Sequence, residues 1–445
     1  ANTGALTNNL PWGGILNVTN GNSQNYSIRG QINYDGVIDE IHQITALAGM
    51  EIRETRDWAN GARYYGYNEK TLIAGSQLPN PYINIWGYNS YLTDASPETD
   101  YQRRYLSYYG NLSYTLMNKY VLSGSVRYDD YNNFGVDRKY RATPMWSTGF
   151  SWHIGREDFI MDNVGWLNQL TFRTTYGYNG NIDPGQYPFT NISLSTSNDG
   201  FTQLPSSSIT AAANPSIRWE KTGVLNFGLD FAVLNHRLSG SIEVYRKYSR
   251  DLFAEYTINP IFGANSTRSY TLTRNAAKVD GKGVDIALNG MIVQKSDFNY
   301  RASLTFSYNT NEVKSSPYEL YSSFASSGGG SGRMIEGYNM NNFWATRWAG
   351  LDEEGNALVY NADGEIIKST ENITNDDLVY MGTLTPKYFG GFFNTFTYKG
   401  LSLYVGITYK LGYIFQKPTI SQQPASRYGG ANYEINEDMA KRIMV

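Results

Sequence analysis

The chain is predicted to be all-β, with antiparallel up-and-down strands, and three observations predict it. Apolar side chains recur at period two in twelve separate runs, the pattern that arises when successive Cβ atoms point to opposite faces of a strand. The composition is rich in Tyr (38) and Gly (44), while charged residues make up only 17% of the 445, which favours strands and turns over a helical enzyme. Connections between the runs tend to alternate, short then long.

The runs come in order. Tyr26, Ile28, Gly30, Ile32 and Tyr34 share one parity, followed by Ile44 to Ile52, Leu106 to Leu116 and Leu122 to Tyr128. The fifth runs from Trp146 to Ile154, and the sixth from Leu170 to Tyr178. The clearest hairpin follows: Leu225, Phe227, Leu229, Phe231 and Val233, a Leu-Asn-His connection, then Leu238, Gly240, Ile242 and Val244. Val284 to Ile292 and Phe298 to Tyr308 form the next pair. The eleventh, 388–398, alternates poorly, and the twelfth, from Leu401 to Leu411, alternates cleanly. Within pairs the connections are comparatively short: 35–41, 117–118, 155–167, 234–236, 294–297 and 399–400. The long ones are 57–101, 180–216, 250–281 and 311–385, with 132–142 of modest length. Turns on one rim and long loops on the other, with aromatics toward the strand ends, form the signature of a transmembrane β-barrel. A soluble sandwich or lectin does not account for the loop rule.

Other features bound the function. A net charge of −3 offers nothing to attract nucleic acid, and the lack of Cys excludes disulfides and thiolate metal sites. No apolar run is long enough for a transmembrane helix, which is silent on barrel strands. His42, His153 and His236 fall at unrelated positions, no carboxylate pair is placed for catalysis, and no metal or cofactor site is expected; an enzyme is not the expected reading. The segments 352–356 (DEEGN) and 361–365 (NADGE) lack calcium-loop spacing and are read as hairpin turns.

Seven segments, in order, resemble the SusC-like (SusC/RagA) TonB-dependent transporters of Bacteroidetes-type bacteria. They are 42–51 (HQITALAGME), 140–159 (YRATPMWSTGFSWHIGREDF), 170–181 (LTFRTTYGYNGN), 214–252, 275–288 (NAAKVDGKGVDIAL), 344–356 (WATRWAGLDEEGN) and 381–400 (MGTLTPKYFGGFFNTFTYKG). The resemblance implies a 22-stranded outer-membrane barrel, about twelve strands of it covered here, in its middle-to-late part. It also implies an N-terminal plug not in this sequence, a SusD-like surface lipoprotein as lid, and TonB-driven import of oligosaccharides or peptides. Both ends are expected to be cut from something longer. A passive porin-like channel and a surface adhesion or secretion-associated barrel are the alternatives.

Two residue sets are candidates for function. Trp58, Tyr64, Tyr65, Trp86 and Tyr88, in the long stretch 57–101, suit stacking against sugar rings or peptide groups beside Asn and Asp; their bland reading is loop packing. Arg29, Arg127, Asp129, Arg173, Asp230, Glu243 and Arg301 fall on the polar parity and are expected to line the lumen, pairing with a plug or solvating a channel. The glycine-rich stretch 326–332 (SSGGGSG) is either a mobile gate or a loop tip without a role.

Overall fold

The computed structural model describes residues 13–74, 81–83, 88–90, 92, 98–132, 140, 142–183, 185–198, 202, 204–257, 271–317, 329–331, 334–369, 371 and 373–417. Its strands are β1 (Gly14–Ile38), β2 (His42–Tyr67), β3 (Tyr82–Ile83), β4 (Asn89–Ser90), β5 (Thr99–Leu116), β6 (Tyr120–Tyr131) and β7 (Ala142–Trp152). They continue with β8 (Leu167–Asn181), β9 (Asn191–Asn198), β10 (Pro205–Ala211), β11 (Glu220–Val233), β12 (Leu238–Thr257), β13 (Thr271–Gln294) and β14 (Phe298–Ser315). The last are β15 (Gly329–Ser331), β16 (Asn342–Leu351), β17 (Ala357–Tyr360), β18 (Ile366–Lys368), β19 (Leu378–Thr383), β20 (Tyr388–Tyr398) and β21 (Leu401–Leu411). Twelve of them form one sheet in the order β1-β2-β5-β6-β7-β8-β11-β12-β13-β14-β20-β21. Each expected run is one of these twelve, and each long strand neighbours its successor along the chain.

The chain falls into two compact units: Ala1–Ile32, Ala48–Tyr109 and Arg127–Asn133 make one; Asn33–Leu47, Gly110–Val126 and Phe134–Val445 the other.

The second unit holds all the short turns. Two-residue turns need left-handed backbone to match the strand twist, and Met117 and Asn118 adopt φ of 52° and 51°, Lys399 and Gly400 of 44° and 88°. Each turn hydrogen-bonds to the next along the rim: Met117 N to Ile41 O (2.7 Å), His153 N to Lys119 O (2.8 Å), Leu234 N to Trp166 O (2.8 Å), Met291 N to Arg237 O (2.7 Å) and Lys399 N to Asp297 O (3.0 Å). Between β7 and β8 the rim carries a 3₁₀ turn, Ile154–Arg156, and a one-turn helix, Asp158–Met161, so the fifth run ends at Trp152 and not at Ile154.

The ladder fixes which side chains share a level. Across one level the partners are Phe150, Thr174, Phe227, Val244, Val284, Tyr308 and Tyr388. The adjacent level, on the opposite face, reads Ser151, Arg173, Gly228, Glu243, Asp285 and Ser307. The apolar face is exposed in the chain alone (Phe227 45%, Val244 48%), as a lipid-facing surface would be. On β14 its members run from Phe298 to Tyr308, ten steps, or about 34 Å of strand. At the usual 45° tilt that is roughly 24 Å, the height of a barrel's apolar band.

Strand ends are where sequence and structure differ. Residues 57–67 belong to β2, 250–257 to β12, 271–281 to β13 and 311–315 to β14, all assigned to long loops by the alternation. Beyond the apolar band neither face needs to be greasy, so the hydrophobic alternation stops while the hydrogen-bonded ladder continues. The 311–385 connection is not structureless either. It carries β15 to β19, with a small core of Val359, Ile373 and Leu378 packed by Trp344 and Ile367.

The turn reading of 352–356 and 361–365 agrees with the structure: they join β16 to β17 and β17 to β18. Asp352 is engaged by the Asn356 side chain and backbone amide and by Lys368 at 3.1 Å, which holds its carboxyl down to about 2. Of the glycine-rich stretch, Gly329–Ser331 is β15; 326–328 and 332 lie outside the described residues.

Candidate functional site

The polar face builds one candidate site in each unit. In the second unit the centre is Arg173 on β8. Its Nε donates to Asp230 Oδ2 (2.5 Å), and its Nη2 donates to Asp230 Oδ1 (3.0 Å) and Glu243 Oε1 (2.9 Å). Asp230 and Glu243 sit on different strands, β11 and β12, so one guanidinium ties three strands together. The guanidinium lies across Gly228: a Cβ there would meet Nη2 at 3.2 Å and Cζ at 3.3 Å. Asn226 Nδ2 donates to the remaining Glu243 oxygen at 3.3 Å. Asp285 stands directly opposite Glu243 on β13 and makes no ion pair among the described residues. Two carboxylates thus share one guanidinium and a third, Asp285, stands beside them, leaving the wall net negative at that level. Arg301 is on the same face, exposed, opposite Thr395, also without an ion pair among the described residues.

In the first unit the same face is a basic, aromatic and acidic network. Arg29 pairs with Glu51 at 3.1 Å, and Ser27 Oγ donates to the other Glu51 oxygen at 3.0 Å. Arg127 pairs with Asp129 at 2.8 Å and donates to Ser107 Oγ at 3.0 Å. Both guanidinium groups approach the Tyr109 ring, at 6.0 and 5.9 Å from its centroid. Higher along the strands Arg53 lies over Tyr105 (4.5 Å), which stacks on the buried Tyr131 (4.6 Å). Arg103 pairs with Asp57 at 2.8 Å. Of the seven residues expected on the polar parity, six make ion pairs, and Arg301 makes none among the described residues. The sequence reading missed Glu51, Asp57, Arg103 and Asp285. Glu51 and Asp285 lie on the polar parity inside the apolar runs, and Asp57 and Arg103 lie on that parity just beyond them.

The aromatic candidates are placed differently from expectation. Trp58, Tyr64 and Tyr65 lie on β2, not on a loop. Trp58 and Tyr64 share the strand parity of Met50 and Ile52, the apolar side, and Tyr65 that of Glu51 and Asp57. Trp58 lines an open pocket of about 630 Å³ with Arg56, Asn60, Glu98 and Asp100, and the Arg56 guanidinium is 5.6 Å from its ring. Arg56 is itself held by Asp100 at 2.7 Å. Tyr88 is 71% exposed. Trp86 lies outside the described residues. Tyr64 and Tyr65 do not face the same side, because consecutive strand residues point to opposite faces.

The histidines do not come together. His42 Nδ1 is 2.6 Å from Tyr114 Oη, and His153 Nδ1 is 3.1 Å from Thr171 Oγ1. Among the described residues no group of three His, Cys, Asp or Glu is placed to hold a metal.

Residues 2–414 match the family described as TonB dependent receptor-like, beta-barrel. A TonB-dependent receptor of Formosa agariphila is 28% identical over 411 residues, 87% of this chain and 39% of the relative. The TonB-dependent receptor SusC of Bacteroides thetaiotaomicron is 29% identical over 265 residues, 56% of this chain and 26% of its own length. Among solved structures, the RagAB peptide importer in its "open-open" state superposes with a TM-score of 0.72 at 26% identity, covering 90% of this chain and 42% of that one. The chain therefore spans about two fifths or less of these relatives. With an antiparallel sheet whose one face is apolar and whose other face is paired charge, the chain belongs to the TonB-dependent receptor β-barrel family and is similar within it to SusC and to RagAB.

Proposed function

We propose that the whole protein is an active importer in the outer membrane of a Bacteroidetes-type bacterium. It takes up peptides or oligosaccharides, is driven through TonB, and works with a SusD-like surface lipoprotein. The observation that supports this most is the ion-paired wall centred on Arg173, Asp230 and Glu243 within a chain that superposes on a peptide importer. Charges held against each other on one face form a polar path and a frame for a plug, and they supply no nucleophile or general base. In this reading the barrel binds and conducts but makes no covalent bond. Asp285, at the same level and without an ion pair among the described residues, is the group offered to a cation on the plug or the cargo. Tyr65, on the polar parity, is the aromatic candidate best placed for cargo.

The test is uptake of labelled peptide and oligosaccharide mixtures by the host, with and without the gene and with and without a protonophore. Loss of uptake in the deletion strain, and arrest by the protonophore, is the expected result. Uptake that survives the protonophore, with steady conductance of the purified protein in planar bilayers, would replace the importer with a passive channel. A deletion strain with unchanged uptake would point to adhesion or secretion instead.

A further inference from the structure

We propose that the apolar-side face of β12, β13 and β14, just beyond the lipid band, binds the phosphate-bearing headgroup of an outer-leaflet lipid. An open pocket of about 680 Å³ lies there, lined by Arg246, Lys282, Lys314, Asp280, Glu312 and Tyr308, with the 337–339 segment and Tyr380 beside it. The register sets its height and its side. Val244, Val284 and Tyr308 share one level of the apolar face; Arg246, Lys282 and Thr310 share the next level on that same face; Tyr248, Asp280 and Glu312 follow. Along that face, in the direction of the long loops, an aliphatic and aromatic level is followed by a basic one and then by a level with Tyr248 and two carboxylates. Tyr308 and Tyr388 pair at 5.1 Å between ring centroids, at the level where an interfacial aromatic girdle belongs.

The charge balance leaves cations available. Asp280 is taken by Arg250 at 2.7 Å, and Glu312 by Lys314 at 2.6 Å. Arg246 is 3.9 Å from Asp280, 59% exposed, and lies over the Tyr248 ring at 4.8 Å. Lys282 is exposed and makes no ion pair among the described residues. Two adjacent cations at one level, above an apolar floor, offer a phosphate two charged donors while acyl chains run down past Val244, Val284 and Phe306. Cargo chemistry does not explain them, since they face away from Arg173 and Glu243. The inference rests on the membrane-spanning reading and not on what is transported.

The test uses the full-length protein, delipidated in detergent and titrated by native mass spectrometry with monophosphoryl lipid A, phosphatidylethanolamine and inorganic phosphate. Wild type is expected to retain lipid A in preference to phosphatidylethanolamine. Arg246→Glu with Lys282→Glu should lower that retention roughly tenfold or more. The milder Arg246→Gln with Lys282→Gln should fall between them, and it serves as the readout if charge reversal prevents folding. Lys295→Glu, at the short-turn rim, should change nothing. Equal retention by wild type and the glutamine variant overturns the site, as does inorganic phosphate binding that competes fully with the lipid. Unchanged lipid retention with reduced uptake would assign the pocket to transport and also overturn the lipid reading.

Discussion

At the scale of the residue, Arg173 decides most. Its guanidinium is just over a third exposed, so its pairs are worth less than fully buried ones and more than free surface pairs. Arg173→Ala would leave Asp230 and Glu243 facing each other and Asp285 with no nearby cation. The expected loss is about 1–3 kcal/mol in urea unfolding of the full-length barrel. Glu243→Gln, which keeps the Asp230 pair, should cost less. Asp285→Asn, added to Arg173→Ala, should recover part of the loss, because it removes the carboxylate directly opposite Glu243. If Arg173→Ala and Asp230→Asn prove additive in a double-mutant cycle, the pair is not energetically coupled and the wall is merely solvated.

At the scale of the element, the rim segment between β7 and β8 is held by one carboxylate. Glu157 accepts from Tyr120 Oη (2.5 Å), Trp152 Nε1 (2.9 Å) and Lys119 Nζ (3.0 Å), and these three donors hold its carboxyl down to about 2, from an ordinary 4.5. A depressed carboxylate stabilises the fold fully above its unfolded value and loses that stabilisation as the pH falls through its folded one. Amide exchange of residues 153–166 should therefore accelerate as pH drops from about 4.5 toward 2, after correction for intrinsic rates, and Glu157→Gln should flatten that dependence. An unchanged profile in the variant would mean that another group secures the rim.

This same scale shows what the sequence makes legible. A strand in the lipid band declares itself, because one parity must be apolar; a strand beyond the band does not, so residues 57–67 read as loop. β20 alternates poorly for a local reason. Gly390 occupies an apolar-face position because Thr305 O and Tyr409 Oη lie where a Cβ would go, and Asn394 is tolerated there because Tyr300 Oη covers it at 2.7 Å. The polar parity is legible in the sequence for residues such as Arg173, Asp230 and Glu243. The triple partnership of Arg173 is not, because it depends on register between strands nearly 60 and 70 residues apart in sequence.

At the scale of the molecule, the order of the twelve strands follows the chain, but the sheet has two ends. Within the described sheet β1 and β21 each have one hydrogen-bonded neighbour, and their side chains are exposed almost throughout. The parts of these edges that cross the apolar band cannot be left without partners in hydrocarbon, where each unsatisfied N–H or C=O costs several kcal/mol. Nor are they stable in water, where long regular edges pair with other chains. Residues 1–445 produced alone and refolded in detergent should therefore aggregate or self-pair, and should migrate identically on a gel whether or not they are heated. The full-length protein should show the heat-dependent shift of a closed barrel. A monodisperse, heat-modifiable product from residues 1–445 alone would mean that β1 and β21 find each other or a second copy. The inner wall would then enclose a narrower space than the relatives imply, and import of large cargo would need a different route.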